Sequence, residues 1–224
     1  MRTPFRVLIC YDLDNDNTLP AVHAYPPGRI QVELVKNPGR GPHSAVIAGL
    51  RAGASPAVLV YPADDLDNAA RIDEMVALIR AGNDIACASR FMPGGRMEGC
   101  PWLKAALVRT AAFTLHFFAR LPTRDATNGL RMFSRRVISE VSIESTEGFV
   151  YSLELLVKAH RLGWPVGEVP AVWFERAKGQ GASRFRVLRW LPAYLRWYRY
   201  AFATTYLRGR PEARTTVAAK SEAL

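Results

Sequence analysis

An apolar run at residues 58–61 passes almost directly into three carboxylates, Asp64, Asp65 and Asp67, and a helical pattern follows over residues 69–81. A buried strand that ends in acids places them at the carboxyl edge of an α/β sheet, where such folds bind ligands. Carboxylates this close repel each other, and a bound cation offsets that repulsion. The cluster therefore predicts a site for Mg²⁺ or Mn²⁺, which would in turn hold phosphates. A solvated acidic turn that caps the next helix is the competing interpretation.

Strand-like and helix-like segments alternate along the chain. Apolar or alternating runs predict strands at residues 5–11, 29–35, 58–61, 84–88 and 164–173. Helical patterns cover residues 44–52, 69–81 and 145–162, and a strongly apolar stretch at residues 101–120 is interpreted as a core helix or the wall of an apolar groove. This alternation predicts an α/β fold with a mainly parallel sheet covered by helices on both faces.

Charge and cysteine content narrow the classes of partner and compartment. The chain has 224 residues, a net charge of +10 and a pI near 9.9. Such a basic balance points to an anionic partner, either phosphates, an anionic membrane surface or nucleic acid. Cys10, Cys87 and Cys100 lack the spacing of a metal site, which suits a reducing, cytosolic compartment. No window supplies the roughly 18 uncharged apolar residues that a membrane-spanning helix needs.

Two further loops follow predicted strands. Asp12, Asp14 and Asp16 come after the first strand, and Lys36 and Arg40 belong to a Gly-rich loop before a helix. The acids are suited to contact a nucleotide's base or ribose, or form a plain Asx-rich turn. The basic loop makes a plausible phosphate cradle, or an ordinary connection between strand and helix. The first loop also fits the DxDxT pattern of haloacid-dehalogenase-type phosphatases, with Asp14 as nucleophile and Asp16 as acid, and that alternative stays open.

Seven short motifs occur in a fixed order. They are the acidic segment 12–18, NPGRG at 37–41, AD at 63–64, ASRF at 88–91, DATNGLR at 125–131, EVP at 168–170 and KGQGASR at 178–184. In content and order, over roughly residues 7–205, the chain resembles the family 2 glycosyltransferases of the dolichol-phosphate mannosyltransferase or polyprenyl-phosphate glycosyltransferase type. The resemblance implies a GT-A fold, which is a Rossmann-like sheet that binds a nucleoside-diphosphate sugar.

The resemblance also implies roles for individual residues. Asp64, Asp65 and Asp67 are the expected catalytic acids, with Asp64 and Asp67 holding the Mg²⁺ or Mn²⁺ ion. The expected donor-binding residues are Asp12, Asp14, Lys36 and Arg40. The expected contacts to an acceptor phosphate are Arg90, Arg131, Lys178, Ser183 and Arg184.

Some features depart from the family pattern. Pro62 stands where the metal motif has its first Asp, and Lys178 and Arg184 exchange the family's Arg and Lys. The family's opening strand and first helix, on the order of 30 residues, have no counterpart. An inactive, transferase-like protein is therefore an alternative. Residues 149–154 also lack the Glu-Asp base of many family members, which favours an acceptor phosphate that is already ionised at pH 7.

The last segment has its own pattern. On a helical wheel, the aromatic and aliphatic side chains of residues 185–202 fall on one half, and Arg186, Arg189, Arg196 and Arg199 on the other. We expect residues 185–208 to form amphipathic helices at a membrane interface, with a second helix starting at Pro192. Packing of this segment on the domain is the alternative. The predicted domain spans residues 1–184, and residues 209–224 are expected to be disordered.

Taken together, the sequence predicts an inverting glycosyltransferase. Its donor would be a nucleoside-diphosphate sugar, its acceptor a polyprenyl phosphate, and its location the cytoplasmic face of the cell membrane. A nucleic-acid partner is not expected, because the basic residues lie in Gly-rich loops and one tail rather than on one compact element.

Overall fold

The computed structural model describes residues 2–26, 28, 30–174 and 187–207, with the side chains of residues 187–189 left out. Lys178, Ser183, Arg184 and the tail at residues 209–224 lie outside the described residues, so the roles predicted for them stay predictions.

In the described residues, eight strands form three sheets. They are β1 (Arg6–Tyr11), β2 (Gln31–Lys36), β3 (Ala57–Val60), β4 (Ile85–Ser89), β5 (Arg96–Glu98), β6 (Arg131–Ser134), β7 (Val166–Pro170) and β8 (Val172–Phe174). Strands β1 and β2 form a parallel pair, β5 and β8 form another, and the largest sheet has the order β3-β6-β4-β7. Strand β6 runs antiparallel to both of its neighbours, so the sheet is mixed. The sequence did not reveal β6, because four residues are too few to show a strand period.

Seven α-helices accompany these strands in the part of the chain that the structure describes. They are α1 (Thr18–His23), α2 (Gly41–Ala52), α3 (Ile72–Arg80), α4 (Trp102–Phe117), α5 (Arg135–Glu140), α6 (Val150–Arg161) and α7 (Val187–Tyr206). Helix α6 starts five residues later than predicted. The carboxylate of Glu154 accepts hydrogen bonds from the backbone N–H groups of Glu144 and Ser145, which holds the preceding segment as a loop.

The core lies on both faces of the four-stranded sheet. Its strand β4 is completely buried, and successive residues point to opposite sides. Ile85 and Cys87 face a large cluster that includes residues of α2, α4, α6 and α7, whereas Ala86 packs with Met75 of α3. Helices therefore cover both faces, and the predicted α/β class is confirmed.

Residues 187–206 form a single helix. The prediction that a second helix starts at Pro192 is wrong, because α7 continues through Pro192 from Val187 to Tyr206. Part of its aromatic face is buried: Trp197 is 2% exposed, and the Tyr198 hydroxyl donates to Thr114 Oγ1 of α4 at 2.7 Å. These contacts attach α7 to α4 and α6. In the part of the chain that the structure describes, no helix combines the length and apolar character needed to cross a bilayer.

Candidate functional site

The loops that follow β1 and β2 are tied together by one carboxylate and one amide. Asp12 accepts hydrogen bonds from Asn37 Nδ2 at 2.6 Å and from the Gly41 N–H at 2.7 Å. The buried Asn37 in turn accepts from the Gly39 N–H at 3.0 Å and from Ser44 Oγ at 2.6 Å. The predicted acidic segment and the predicted phosphate loop are thus adjacent, at the carboxyl end of a parallel strand pair.

The charged residues of these loops remain at the surface. Lys36 Nζ lies 2.6 Å from the Asp14 carboxylate, and both side chains are largely exposed. The hydrogen bond to Asp14 raises the pKa of Lys36 above its ordinary value. Arg40 is also exposed and immediately precedes helix α2. The structure therefore brings Asp12, Asp14 and Lys36 together, with Arg40 at the end of the same loop.

The loop after β3 is organised by Asp65. Its carboxylate accepts hydrogen bonds from the Tyr61 hydroxyl at 3.1 Å and from the N–H groups of Asp67 and Asn68 at 3.1 and 2.9 Å. It also accepts from Asn68 Nδ2 at 2.7 Å. Burial, reinforced by the Asp65 charge, raises the pKa of Tyr61 to about 12. Asp65 thus stabilises the conformation of this loop.

Asn68 fixes the same loop to a distant part of the chain. It is 3% exposed, donates from Nδ2 to the Val172 carbonyl at 2.8 Å, and accepts from the Val172 N–H at 2.9 Å. The loop is therefore held against β8 through both ends of one amide side chain. Asp64 and Asp67 are exposed on this fixed loop.

A divalent cation would find oxygen ligands here. Over residues 2–26, 28, 30–174 and 187–207, no group of three or more His, Cys, Asp or Glu side chains is arranged to hold a metal. Mg²⁺ is commonly bound by one or two carboxylates together with substrate phosphates. The exposed carboxylates of Asp64 and Asp67 fit that kind of site, in which a diphosphate supplies the remaining ligands.

A buried ion pair lies at the end of β4. Asp125 is 0% exposed and accepts from the Arg90 N–H at 3.0 Å, from Arg90 Nε at 2.7 Å and from Nη2 at 3.0 Å. Burial by itself raises the pKa of Asp125, but the Arg90 guanidinium and the hydrogen bonds from Arg90 and Thr127 hold it below its ordinary range. The Arg90 head is therefore anchored, and its Nη1 lies 3.8 Å from the weakly accepting sulfur of Met97.

Arg131 is deeper still. It is 0% exposed, and its guanidinium donates to the backbone carbonyls of Ser152, Ala126 and Asp125. Its positive charge offsets part of the effect of burial on Tyr194, whose pKa is nevertheless raised to about 12. Arg131 therefore lies inside the core, whereas Arg90 lies next to the surface.

Sequence reasoning missed the residues that hold these loops in place. Asn37, Asn68, Asp125 and Glu154 are buried and hydrogen-bonded, yet none was singled out as a site residue. Only Asp125 carries a local signal, since the pattern Asp-x-Thr-Asn is typical of an Asx turn. The partner of Asn68 is 104 residues away and leaves no local trace.

Comparison with known proteins decides the family. The profile of Glycosyl transferase family 2 matches residues 2–142, which is more than half of the chain. The chain belongs to this family. Family membership agrees with the placement of acidic loops at the carboxyl ends of β1 and β3.

Two curated relatives match the chain over part of their own length. It is 31% identical over 134 residues to the polyprenol monophosphomannose synthase of Mycolicibacterium smegmatis, covering 58% of this chain and 50% of that protein. It is 28% identical over 166 residues to the dolichol-phosphate mannosyltransferase of Pyrococcus furiosus, covering 70% of this chain and 46% of that protein. The chain thus spans about half the length of these relatives.

Solved structures support the fold. A glucosyl-3-phosphoglycerate synthase from Mycobacterium tuberculosis, in complex with Mn²⁺, UDP-glucose and phosphoglyceric acid, matches with a TM-score of 0.57 and 16% identity, over 88% of this chain and 67% of that one. The same enzyme in complex with UDP matches with a TM-score of 0.54 and 17% identity. Together with the family match, this likeness identifies the fold as GT-A.

Proposed function

We propose that this protein is an inverting glycosyltransferase that moves a sugar from a nucleoside-diphosphate sugar to a polyprenyl phosphate. The observation that carries the proposal is the pair of exposed carboxylates, Asp64 and Asp67, on a loop held by Asp65 and Asn68 at the carboxyl end of β3. The names of the two curated relatives support the choice of a lipid phosphate as acceptor.

The donor would lie across the loops after β1, β2 and β3. Asp64 and Asp67 would hold a Mg²⁺ or Mn²⁺ ion, which offsets the negative charge that grows on the leaving diphosphate. Asp12 and Asp14 would contact the base or ribose, and Lys36 and Arg40 would bind donor phosphates. In that role Asp12 would still hold the loop of Asn37 in place, because one of its oxygens accepts a hydrogen bond from Asn37 Nδ2 and the other from the Gly41 N–H.

The transfer needs no protein base. An oxygen of the acceptor phosphate forms a bond to the anomeric carbon, and the bond from that carbon to the diphosphate breaks, with the electron pair leaving on the nucleoside diphosphate. Because the acceptor is ionised at pH 7, it has no proton to lose. Arg90 and Arg131 are the described candidates to bind that phosphate. Of the two, Arg90 is favoured, since Arg131 is enclosed in the core.

A membrane surface as partner is supported more directly by helix α4 than by α7, part of whose aromatic face is buried. Six large apolar side chains on α4 and just beyond it are more than half exposed: Trp102, Leu103, Leu107, Phe113, Phe117 and Phe118. Trp102 alone is 80% exposed. Arg109 and Arg120, in and just after the helix, are also exposed and would be attracted to anionic lipid. We therefore propose peripheral binding to the cytoplasmic face of the membrane through this helix.

Calorimetric titration tests the donor site. Purified protein is titrated with UDP, GDP and their sugar conjugates, with Mn²⁺ and then with EDTA. We expect metal-dependent binding of one nucleotide that is lost in Asp64→Ala and kept in Glu140→Ala, which removes an exposed carboxylate on α5. A folded protein that binds none of these nucleotides would overturn the proposal. Hydrolysis of a phosphate ester that Asp14→Asn abolishes would support the phosphatase instead.

Co-sedimentation with vesicles tests the membrane surface. Vesicles of anionic and zwitterionic lipid should retain the protein, and the triple change Leu103→Ser, Leu107→Ser and Phe113→Ser should reduce retention at least fivefold. Tyr25→Ser, which removes a comparably exposed ring outside α4, should leave retention unchanged. Equal loss in both variants would argue against α4 as the contact.

A further inference from the structure

His43 lies in the turn that closes the Asn37 loop, which we define as residues 37–41. It is the third residue of helix α2. On one side of it in the chain, the Gly41 N–H donates to the Asp12 carboxylate at 2.7 Å. On the other side, Ser44 Oγ donates to Asn37 Oδ1 at 2.6 Å. A shift of His43 would therefore move both residues that hold the loop closed.

The imidazole of His43 packs against the start of α6. Its ring centre lies 6.1 Å from that of Tyr151, with an angle of 65° between the two planes. The ring also contacts the backbone of Gly148, in the turn before α6. Gly148 has a φ of +51°, and a side chain added there would collide with the ring of Trp190 of α7. The surface that receives His43 is thus supported from behind by α7.

Two polar atoms at this contact are enclosed without a hydrogen bond. They are His43 Nδ1 and the Tyr151 hydroxyl, and neither has a partner within the part of the chain that the structure describes. A neutral imidazole carries one N–H group, whereas an imidazolium carries an N–H group on both nitrogens. The charged ring would therefore enclose an Nδ1–H donor that has no acceptor, which is unfavourable.

The surroundings of His43 also favour the neutral ring electrostatically. Burial lowers the pKa of His43, and the Glu154 charge together with the backbone contact offsets only part of that effect. The Glu154 carboxylate is already bound by Lys158 Nζ and by the N–H groups of Glu144 and Ser145. In addition, the N-terminus of α2 carries a partial positive charge, which opposes an imidazolium in its first turn.

The other ionisable groups around this contact supply no free counter-charge. Burial raises the pKa of Tyr151, so its hydroxyl stays protonated, and the groups that act on it are the positive Arg131 and the hydroxyl of Tyr194. Burial raises the pKa of Tyr194 to about 12. On the side of the Asn37 loop, both oxygens of Asp12 already accept hydrogen bonds.

We propose that His43 is a positioning residue, which holds the Asn37 loop closed only while its imidazole is uncharged. When the ring takes up a proton from solvent, it leaves the enclosed contact with Tyr151. The turn that contains Gly41 and Ser44 moves with it, and the hydrogen bonds that close the loop are lost. The inference deepens the proposed function, because it rests on that function for the prediction that donor phosphates bind more weakly in acid. The closing of the loop itself requires no nucleotide.

The direction of the pH dependence follows from the two states of the ring. With the loop open, the imidazole is solvated and its pKa has the ordinary value of about 6.5. With the loop closed, the pKa of His43 is lower. The closed loop is therefore fully stable above about pH 6.5, and it weakens as the pH falls from there through the lower pKa of the closed state.

Hydrogen exchange followed by NMR tests the proposal on the free protein. The Gly39 and Gly41 amides donate within the loop. Their protection, corrected for the intrinsic effect of pH, should fall about threefold or more between about pH 7.5 and about pH 5.5. His43→Phe keeps an aromatic ring but takes up no proton, so its protection should stay constant. Constant protection in the parent protein, or an equal fall in His43→Phe, would overturn the proposal.

A second histidine provides the matched control. His116 is half-buried on α4, and its Nδ1 lies 3.0 Å from the Leu121 carbonyl. His116→Phe should therefore show the same pH-dependent protection of Gly39 and Gly41 as the parent protein. Loss of the pH dependence in this variant would assign the effect to the wrong histidine and contradict the role of His43.

The titration of His43 itself checks the same point without any substitution. The resonances of its ring C–H groups should titrate with a midpoint below about pH 6.5, and a midpoint at or above that value would overturn the proposal. The protection of the β4 amides reports whether His43→Phe is folded. If it is not, His43→Gln replaces it as the variant that takes up no proton.

Nucleotide affinity separates this proposal from the proposed function. In calorimetry with Mn²⁺, the loss of affinity between about pH 7.5 and about pH 5.5 should be about threefold or more greater for the parent protein than for His43→Phe. The comparison cancels the protonation of the diphosphate itself. A protein that binds no nucleotide at either pH would overturn the donor site, while hydrogen exchange would still decide the role of His43. Equal loss of affinity in both proteins would contradict the link between loop closure and donor binding.

Discussion

Two acidic loops of this protein use the same residue type in opposite ways. Asp125, in the loop before β6, is completely buried and bonded to Arg90, Thr127 and Asn128. Asp64, in the loop after β3, is exposed at the edge of the sheet. The first carboxylate holds a loop together, and the second is accessible to a ligand.

Asp65 shows that adjacent acids in the sequence can have different roles. It is adjacent to Asp64, but it accepts four hydrogen bonds from its own loop. Its role resembles that of Asp125 rather than that of its neighbour. Of the three predicted catalytic acids, Asp64 and Asp67 are therefore suited to bind a ligand, and Asp65 is suited to position them.

The largest expected effect is that of Asp125→Asn. The change leaves the Arg90 guanidinium buried without its counter-charge, so the free energy of unfolding should fall by about 3–5 kcal/mol. Urea denaturation measures it. Glu140→Gln, which removes one partner of an exposed pair with Arg136, is the control and should change stability far less. Similar losses in both variants would contradict the structural role of Asp125.

The same pair should show a pH dependence. Since the pKa of Asp125 is lowered in the folded state, its stabilising effect is fully present above the ordinary value of about 3.9 and is lost as the pH falls through the lower folded value. The stability difference between the parent protein and Asp125→Asn should therefore narrow below about pH 3.9. Unfolding measured between pH 7 and pH 3 tests this. A constant difference would show that the pair does not titrate as the structure implies.

A smaller effect is expected for Asp65→Ala. Loss of the carboxylate removes the acceptor of one N–H of the buried Asn68 amide, whose Nδ2 still donates to Val172, and of the backbone N–H groups of Asp67 and Asn68. This should cost about 1–3 kcal/mol. Asp65→Asn, which keeps one acceptor oxygen, should recover part of the loss in thermal unfolding. If the Asp65→Ala variant is as stable as the parent protein but no longer binds nucleotide, Asp65 contacts the nucleotide or its metal ion directly.

The smallest effect on stability is expected for Asp14→Ala. Its ion pair with Lys36 is exposed to solvent, so the midpoint of thermal unfolding should not change measurably. Nucleotide affinity, in contrast, should change if these residues contact the donor as proposed. Calorimetry on the same preparation separates the two outcomes, and a marked fall in the unfolding midpoint would place Asp14 among the structural acids.

Local patterns in the sequence determined much of this protein. The apolar runs predicted β1, β3 and β4, the helical period predicted α3, and the order of the motifs indicated the family. These features depend on residues close together in the chain, where period and turn chemistry act directly.

Tertiary structure alone decided which faces and which acids are buried. The sequence predicts that the aromatic half of α7 faces a membrane and that residues 101–120 form a core helix or the wall of an apolar groove, yet Trp197 is enclosed against α6 while Trp102 is exposed. Asn68 and Val172, or Arg90 and Asp125, meet only because the fold brings distant segments together. The sequence determines how strongly each side chain favours burial. A buried charge or amide, however, also needs hydrogen-bonding partners, and in this protein the packing of distant segments decides which residues they are.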